Sequence, residues 1–425
     1  MKNIVFTLLV LSSHLAANTK YTSGSKKCPQ ADELNNYINV PLFHNLKNIA
    51  TTENIQNLDL HTEQQQDYQD FELEIYFELY QKFDPKKKLL LLIPGGPGND
   101  HQMLHDYAVM MKKNTSILEQ YNVISMDHRG LGCSRPLFPG AEPDKALMMR
   151  HAASDIDLIR KFLVGESGKI TLFGESYGTF LAQTYALLYP DKTDKLFLSA
   201  ALSSYKDFEN AQRKYETLAI SSIPGLYERY DRLKQEFPNY AKKFIEWTVF
   251  PFYDYSGRTQ TIPTQFAKLE SALQLAQYEL ADELVTQTPW VMEKLMRSIV
   301  CMEIYKYSDD PTQFHMFPEN FSHCKEYQGN FDYFDYTNDL KNITAPTFLW
   351  SGFYDHVTPT EGMSQIAKLI PDNFLYVDPH LGHMITQKEE CFLSLFEGFL
   401  AGDSSQGLKV KTLQSACQQP PKSDE

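Results

Sequence analysis

No stretch of this chain reaches the roughly 18 consecutive apolar residues that a membrane helix needs, so no segment reads as spanning a bilayer. There is no P-loop and no dinucleotide fingerprint, and no cofactor is expected. No C-x-x-C pair or Cys/His cluster with zinc spacing occurs. His101 and His105 stand four apart, but no Glu follows in H-E-x-x-H order, and both read as surface residues. Lys and Arg nowhere gather into a stripe that could track a phosphate backbone, and 40 of them face 54 acidic residues for a net charge of −14. Nucleic acid is therefore excluded as a partner. The negative charge is spread, which describes a solvated surface and names no substrate. Glycine and proline, 20 and 22 residues, are too scarce for a collagen-like or low-complexity chain, and 13% aromatics is too much for a disordered one.

What remains is a globular chain of 425 residues, enough for two or three domains or for one large α/β unit with an insertion. Lys2, the apolar run 4–10 and the small residues Ala16 and Ala17 follow signal-peptide order, so residues 1–17 are expected to be a signal and the protein to be secreted or periplasmic, with no membrane attachment after its removal. The six cysteines, at 28, 133, 301, 324, 391 and 417, then favour disulfides, and six allow fifteen pairings. Asn114, Asn320 and Asn342 begin N-x-S/T sequons.

No internal repeat is present. Phe71, Leu73, Ile75, Phe77 and Leu79 alternate with mostly polar residues, the period of a half-buried strand. The unbroken run 89–93 predicts a strand buried on both faces. Further strands are expected at 122–126, 170–173 and 195–200, with helices at 101–112, 155–164 and 177–189 between and after them. Alternating strand and helix imply a parallel sheet. The texture then changes to long helical patterns such as 205–218 and 266–284. Strand and helix resume with 347–350, 360–369, 374–377 and 391–400. The organisation expected is an α/β-hydrolase core in two parts, 28–203 and 343–417, a helical cap insertion at 204–342, and a tail at 418–425.

Gly174-Glu175-Ser176-Tyr177-Gly178 follows the 170–173 strand and opens a helix, the setting of a nucleophile elbow. A sharp strand-to-helix turn strains the Ser backbone and brings neighbouring backbone close, so small residues are needed two before and two after it. A serine hydroxyl is a weak nucleophile and needs a base and an orienting acid, in chain order Ser, acid, His on this fold. Asp355, just past the 347–350 strand, supplies the acid. His383, after the 374–377 strand, is the expected base, with His380 its rival and His356 read as a surface residue. The oxyanion needs two backbone donors. Tyr177 N–H is the first, and the Pro94-Gly95-Gly96-Pro97-Gly98 turn provides the second, from Gly96 or else Gly95.

The PGGPG turn, the segment DHRGLGCS from Asp127, SYGTFLAQTYALLYP from Ser176, and APTFLWSGFYDHVTP with a following LGH together resemble the proline iminopeptidase and secreted tripeptidyl aminopeptidase family of α/β-hydrolases. The resemblance extends over about residues 38 to 417. It implies Ser176, Asp355 and His383 as a triad, a helical cap over the site, and removal of residues or short peptides from the N-terminus of peptide substrates. It also implies the disulfides Cys301–Cys324 and Cys391–Cys417, at positions matching the tripeptidyl branch, which leaves Cys28 and Cys133 for each other. In this family the cap supplies an acid for the substrate's protonated amine. Glu303 is the candidate, with Glu293 and Glu246 behind it, and Trp247, Phe250, Phe252 and Tyr253 either line a pocket or pack a core. Pro94 stands where the iminopeptidases have His, although the tripeptidyl branch often has Pro there, and Met384 stands where Gly is usual. Glu175 gives a GESYG string that, with GGPG, also resembles serine carboxypeptidases; the DHRGLGCS segment and the short Asp355 to His383 spacing favour the aminopeptidase branch. The triad and oxyanion donors would equally serve a small-ester hydrolase, and a hydrolase fold can also act as a non-catalytic binding module.

Overall fold

The apolar run Lys88–Ile93 forms β3, an inner strand with helices on both faces, which is why it does not alternate. The structure, a computed structural model, describes residues 28–44, 71–136, 144–223, 225–245, 260–285, 299–305, 324–325, 333–383, 389–402 and 417. The expected signal segment lies outside these residues, as do Glu246, Trp247, Phe250, Phe252, Tyr253, Glu293, Asn320 and Met384.

The sheet contains β1 (Asn35–Pro41), β2 (Glu72–Leu79), β3, β4 (Tyr121–Met126), β5 (Arg135–Pro136), β6 (Ile170–Glu175), β7 (Thr193–Ser199), β8 (Thr347–Gly352) and β9 (Asn373–Asp378). Their order is β1-β2-β4-β3-β6-β7-β8-β9, with β5 paired to β2. From β4 to β9 every pair along this order is parallel. The antiparallel edge of β1, β2 and β5 qualifies the expectation of a parallel sheet.

Helices α1 (His105–Asn114), α2 (Met149–Val164), α3 (Tyr177–Leu188), α9 (Thr360–Leu369) and α10 (Glu389–Ala401) flank the sheet. Residues in register alternate between the faces. Leu92, Phe173, Phe197 and Phe348 form a cross-strand row facing α1 and α10, where Phe392 and Phe396 pack on Phe173 and Phe197. The next row, Ile93, Gly174, Leu198 and Leu349, faces α2, α3 and α9. The last turn of α10 has no basic residue of its own. The buried Lys195 of β7 supplies one: its ammonium donates to the carbonyls of Phe399 at 3.0 Å, Leu400 at 2.7 Å and Gly402.

Between β7 and β8 the described residues form helices α4 (Tyr205–Ser221), α5 (Tyr227–Glu236), α6 (Pro238–Phe244), α7 (Ile262–Gln274) and α8 (Tyr278–Val285). The pattern at 266–284, expected as one helix, is broken in two. Ala276 adopts φ +54°, and the amides of Ala276 and Gln277 turn back to the carbonyls of Leu273 and Ala272. The two ends of the insertion are clasped: Tyr205 N–H donates to Phe334 O at 2.8 Å and Tyr336 N–H to Ser203 O at 2.9 Å. The structure joins Cys28–Cys133, Cys301–Cys324 and Cys391–Cys417, with Cα separations of 5.5, 5.0 and 4.9 Å.

Candidate active site

β6 ends at Glu175 and α3 begins at Tyr177, so Ser176 takes the whole turn, with φ +51° and ψ −119°. A non-glycine residue in that region is strained and is held there by its surroundings. Its N–H donates to Ser199 O at 2.9 Å. The flanking glycines are explained by contact: a Cβ on Gly174 would lie 2.6 Å from Gly178 O, and one on Gly178 2.3 Å from Ile93 O.

The loops after β8 and β9 bring two partners to Ser176. Nε2 of His383 lies 3.0 Å from the Ser176 hydroxyl, and Nδ1 lies 2.8 Å from Oδ2 of Asp355. Asp355 is fully engaged. Its Oδ1 accepts the amides of Val357 and Thr358, both at 2.9 Å, and Oδ2 also accepts the Thr358 hydroxyl at 2.8 Å. Thr358 is a site residue that the motifs miss, although a threonine three residues after an acid in a turn is a recurrent clamp. Burial alone would push the Asp355 carboxyl up, but His383 and the Thr358 donors outweigh it and hold the group below the ordinary carboxylate range. Burial opposes the charge on His383, yet Asp355, with Glu175 behind it, moves the ring above its ordinary value. A carboxylate against Nδ1 keeps the proton there, so Nε2 faces the serine as an acceptor.

Gly352 sets the distance between the two loops, because a Cβ there would lie 2.0 Å from Gly382 O. Gly352→Ala is expected to spread Asp355 from His383 and lower kcat by about 100-fold, on the scale of a 1 Å misplacement. Steady-state kinetics of a folded variant would check this, and unchanged kcat would show that the loops tolerate the shift.

Tyr177 N–H is at the first position of α3, where no acceptor exists within the helix. In the glycine turn Gly95 approaches Ser176: a Cβ on it would lie 3.2 Å from Ser176 Cβ. Gly96 has φ +120°, and a Cβ on it would lie 2.6 Å from the Gly98 amide nitrogen and 3.0 Å from that of Asn99. His380 is half-buried and donates its N–H to Asp378.

Two histidines read as surface residues are not. His101 is 7% exposed, and both its N–H and its ring bond to Asp127, at 2.7 and 2.8 Å. His356 is 2% exposed. Burial of His101 goes unseen in the sequence because the residue opens a short helical turn among polar neighbours, and the groups that cover it, Asp127 and Tyr76, come from elsewhere in the chain. His105 is exposed, as expected. Asp127 also accepts Cys133 N–H at 2.6 Å, so one carboxylate ties the loop after the glycine turn to the Cys28–Cys133 bridge. Beside it Arg129, 1% exposed, spends all five donors on Asp155 and the carbonyls of Pro41, Leu42 and Ala146. His128 lies edge-on to Tyr177 at 5.4 Å, and burial pushes it down to about 4. Glu303 is 2% exposed and accepts the first amide of α2, Met149 N–H, at 2.8 Å. It is close enough for its charge to act on the buried Tyr177 phenol.

Residues 88–386 match the family described as alpha/beta hydrolase fold. The chain belongs to that family and is a hydrolase. Among curated relatives it is 24% identical to a proline iminopeptidase of Saccharolobus solfataricus, over 78% of this chain and 90% of that protein. It is 26% identical to a tripeptidyl aminopeptidase of Streptomyces lividans over 28% of this chain and 29% of that one. A solved proline iminopeptidase of Mycobacterium smegmatis matches with 18% identity and a TM-score of 0.47, over 78% of this chain and 95% of that one.

Proposed function

We propose that this chain is an exported serine peptidase that removes residues or short peptides from the N-terminus of peptide substrates through an acyl-enzyme on Ser176. The observation that carries the reading is the run of contacts from Ser176 through His383 to Asp355, at 3.0 and 2.8 Å, on a strained turn at the head of a helix. Ser176 Oγ attacks the carbonyl carbon while His383 Nε2 takes its proton, and the imidazolium formed is stabilised by Asp355. Negative charge on the carbonyl oxygen falls to Tyr177 N–H and a donor of the glycine turn, Gly96 or the closer Gly95. His383 then protonates the leaving amine, and water repeats the sequence to release the acyl group.

The aminopeptidase reading is supported by the names of the curated relatives and by Glu303, a buried carboxylate near Tyr177 that would hold the substrate's ammonium. Glu175, the source of the likeness to carboxypeptidases, is 0% exposed and offers no group to a substrate's C-terminus. Export is supported by three disulfides and by the order of the first residues.

Digestion of a peptide library by the purified protein, read by mass spectrometry, tests the direction of cleavage. Free-amine peptides are expected to shorten from the N-terminus and N-acetylated ones to resist; equal rates would overturn the aminopeptidase reading. Glu303→Gln keeps an acceptor for Met149 N–H but loses the charge. It is expected to raise KM for free-amine peptides by at least about tenfold, the scale of one charged hydrogen bond, and to spare small acetate esters.

A further inference from the structure

The loop from β8 to α9 carries two threonine hydroxyls with different partners. Thr360, the first residue of α9, donates to Gly352 O at 3.0 Å, and its oxygen lies 2.9 Å from the Ser351 hydroxyl, so the loop is fastened back to the strand it left. Thr358, 4% exposed, meets the site instead. Its hydroxyl, Oδ2 of Asp355 and Nδ1 of His383 form a triangle: 2.8 Å from hydroxyl to Oδ2, 2.8 Å from Oδ2 to Nδ1 and 3.3 Å from Nδ1 back to the hydroxyl. The third side is longer than an ordinary N–H···O bond, so the ring nitrogen donates to Oδ2 and the hydroxyl donates to the same oxygen beside it. Oδ1 of Asp355 takes the amides of Val357 and Thr358, both at 2.9 Å. One anchored oxygen restrains a carboxylate without fixing its plane, because the terminal torsion is broad. A donor on the second oxygen fixes it, and Thr358 supplies that donor. An apolar side chain of the same shape would fill this buried position, so packing does not account for the hydroxyl. What the hydroxyl adds falls on the oxygen that faces His383.

We propose that Thr358 is a positioning residue for the reaction: its hydroxyl fixes Oδ2 of Asp355 against Nδ1 of His383 and so sets the direction in which Nε2 meets Ser176. The proposal rests on the assignment of Ser176, His383 and Asp355 as the catalytic groups. Thr358 acts through Asp355 and His383, and its hydroxyl keeps its own proton while that of Ser176 passes to Nε2 and on to the leaving group. When the ring becomes an imidazolium, the charge at Nδ1 meets an oxygen already in place. Without the hydroxyl, the carboxylate has to be brought into line as that charge develops, and the cost falls on the transition state rather than on substrate binding.

The test is the hydrolysis of p-nitrophenyl acetate by Thr358→Val, which keeps the shape of the side chain and removes the hydroxyl. Its kcat is expected to fall about tenfold, the scale of one hydrogen bond to a charged group. KM should be nearly unchanged, the pattern of an interaction made only in the transition state. Thr358→Ser returns the hydroxyl without the methyl and is expected to recover most of the loss. An unchanged kcat in a folded Thr358→Val protein, or a loss confined to KM, would overturn the proposal. So would a loss of kcat that Thr358→Ser does not recover, since that effect belongs to the methyl and its packing. Should the valine variant not fold, Thr358→Ala against Thr358→Ser gives the same comparison, and equal kcat in the two overturns the proposal equally. A wild-type protein not labelled at Ser176 by a fluorophosphonate probe overturns the hydrolytic reading and the proposal with it, an outcome distinct from a labelled protein whose valine variant turns over as fast as the wild type.

Discussion

Ser176→Ala is expected to lower kcat by about 10⁶, the scale seen when a serine nucleophile is removed alone. In the proposed mechanism the hydroxyl forms the acyl bond, and the 3.0 Å contact with His383 is what makes it nucleophilic. Nothing in the fold depends on it. The strained turn is held by backbone, through Ser176 N–H to Ser199 O and the close packing of Gly174 and Gly178, and alanine keeps the Cβ that already fits. The thermal midpoint is therefore expected to change by no more than about one degree, the shift that ~1 kcal/mol produces in a chain of this size. The backbone donors of the oxyanion site remain and leave a residual rate above that in water. Activity within tenfold of the wild type would remove Ser176 from the mechanism.

Asp355→Asn should cost about 10³ to 10⁴ in kcat with little change in KM. Asp355 is an acceptor on every side: two amides, the Thr358 hydroxyl and the His383 ring all donate to it. An asparagine amide must direct its NH₂ somewhere. Facing the ring, it forces the proton of His383 onto Nε2, where it can no longer accept from Ser176. Facing the other way, it sets donor against donor at Val357 and Thr358 and tilts the loop. In both cases the imidazolium loses its strongest support, so the acid limb of the rate should also move to lower pH. An effect confined to KM would place Asp355 outside the proton-transfer chain.

The parts legible in the sequence were those with local causes. The run Leu89 to Ile93 and the turn Gly174 to Gly178 carry their own explanations, because burial on both faces needs continuous apolar residues and a tight elbow needs glycines. Asp355 and His383 could be named from chain order and from the strands preceding them. β1, in contrast, is a half-exposed edge whose Asn-rich sequence has weak alternation. The break at Ala276 has neither Gly nor Pro to announce it. The first turns of α2 contain Arg150, His151 and Ser154, polar residues that hide a buried helix face. The engagement of Asp127 with His101 and Cys133, of Arg129 with Asp155, and of Asp355 with Thr358 depends on which loops meet. Periodicity contains no record of such meetings.

The clasp between Ser203–Tyr205 and Phe334–Tyr336 makes the hydrolase scaffold modular. Adjacent parallel strands β7 and β8 receive the chain on either side of the insertion, and backbone pairing has already joined its two ends before any helix between them is considered. From the sheet's side the insertion is a closed loop, whose length enters only as closure entropy, about 0.6 kcal/mol for each doubling. What lies between these segments can therefore change in length or content at little cost to the sheet that positions Ser176, Asp355 and His383.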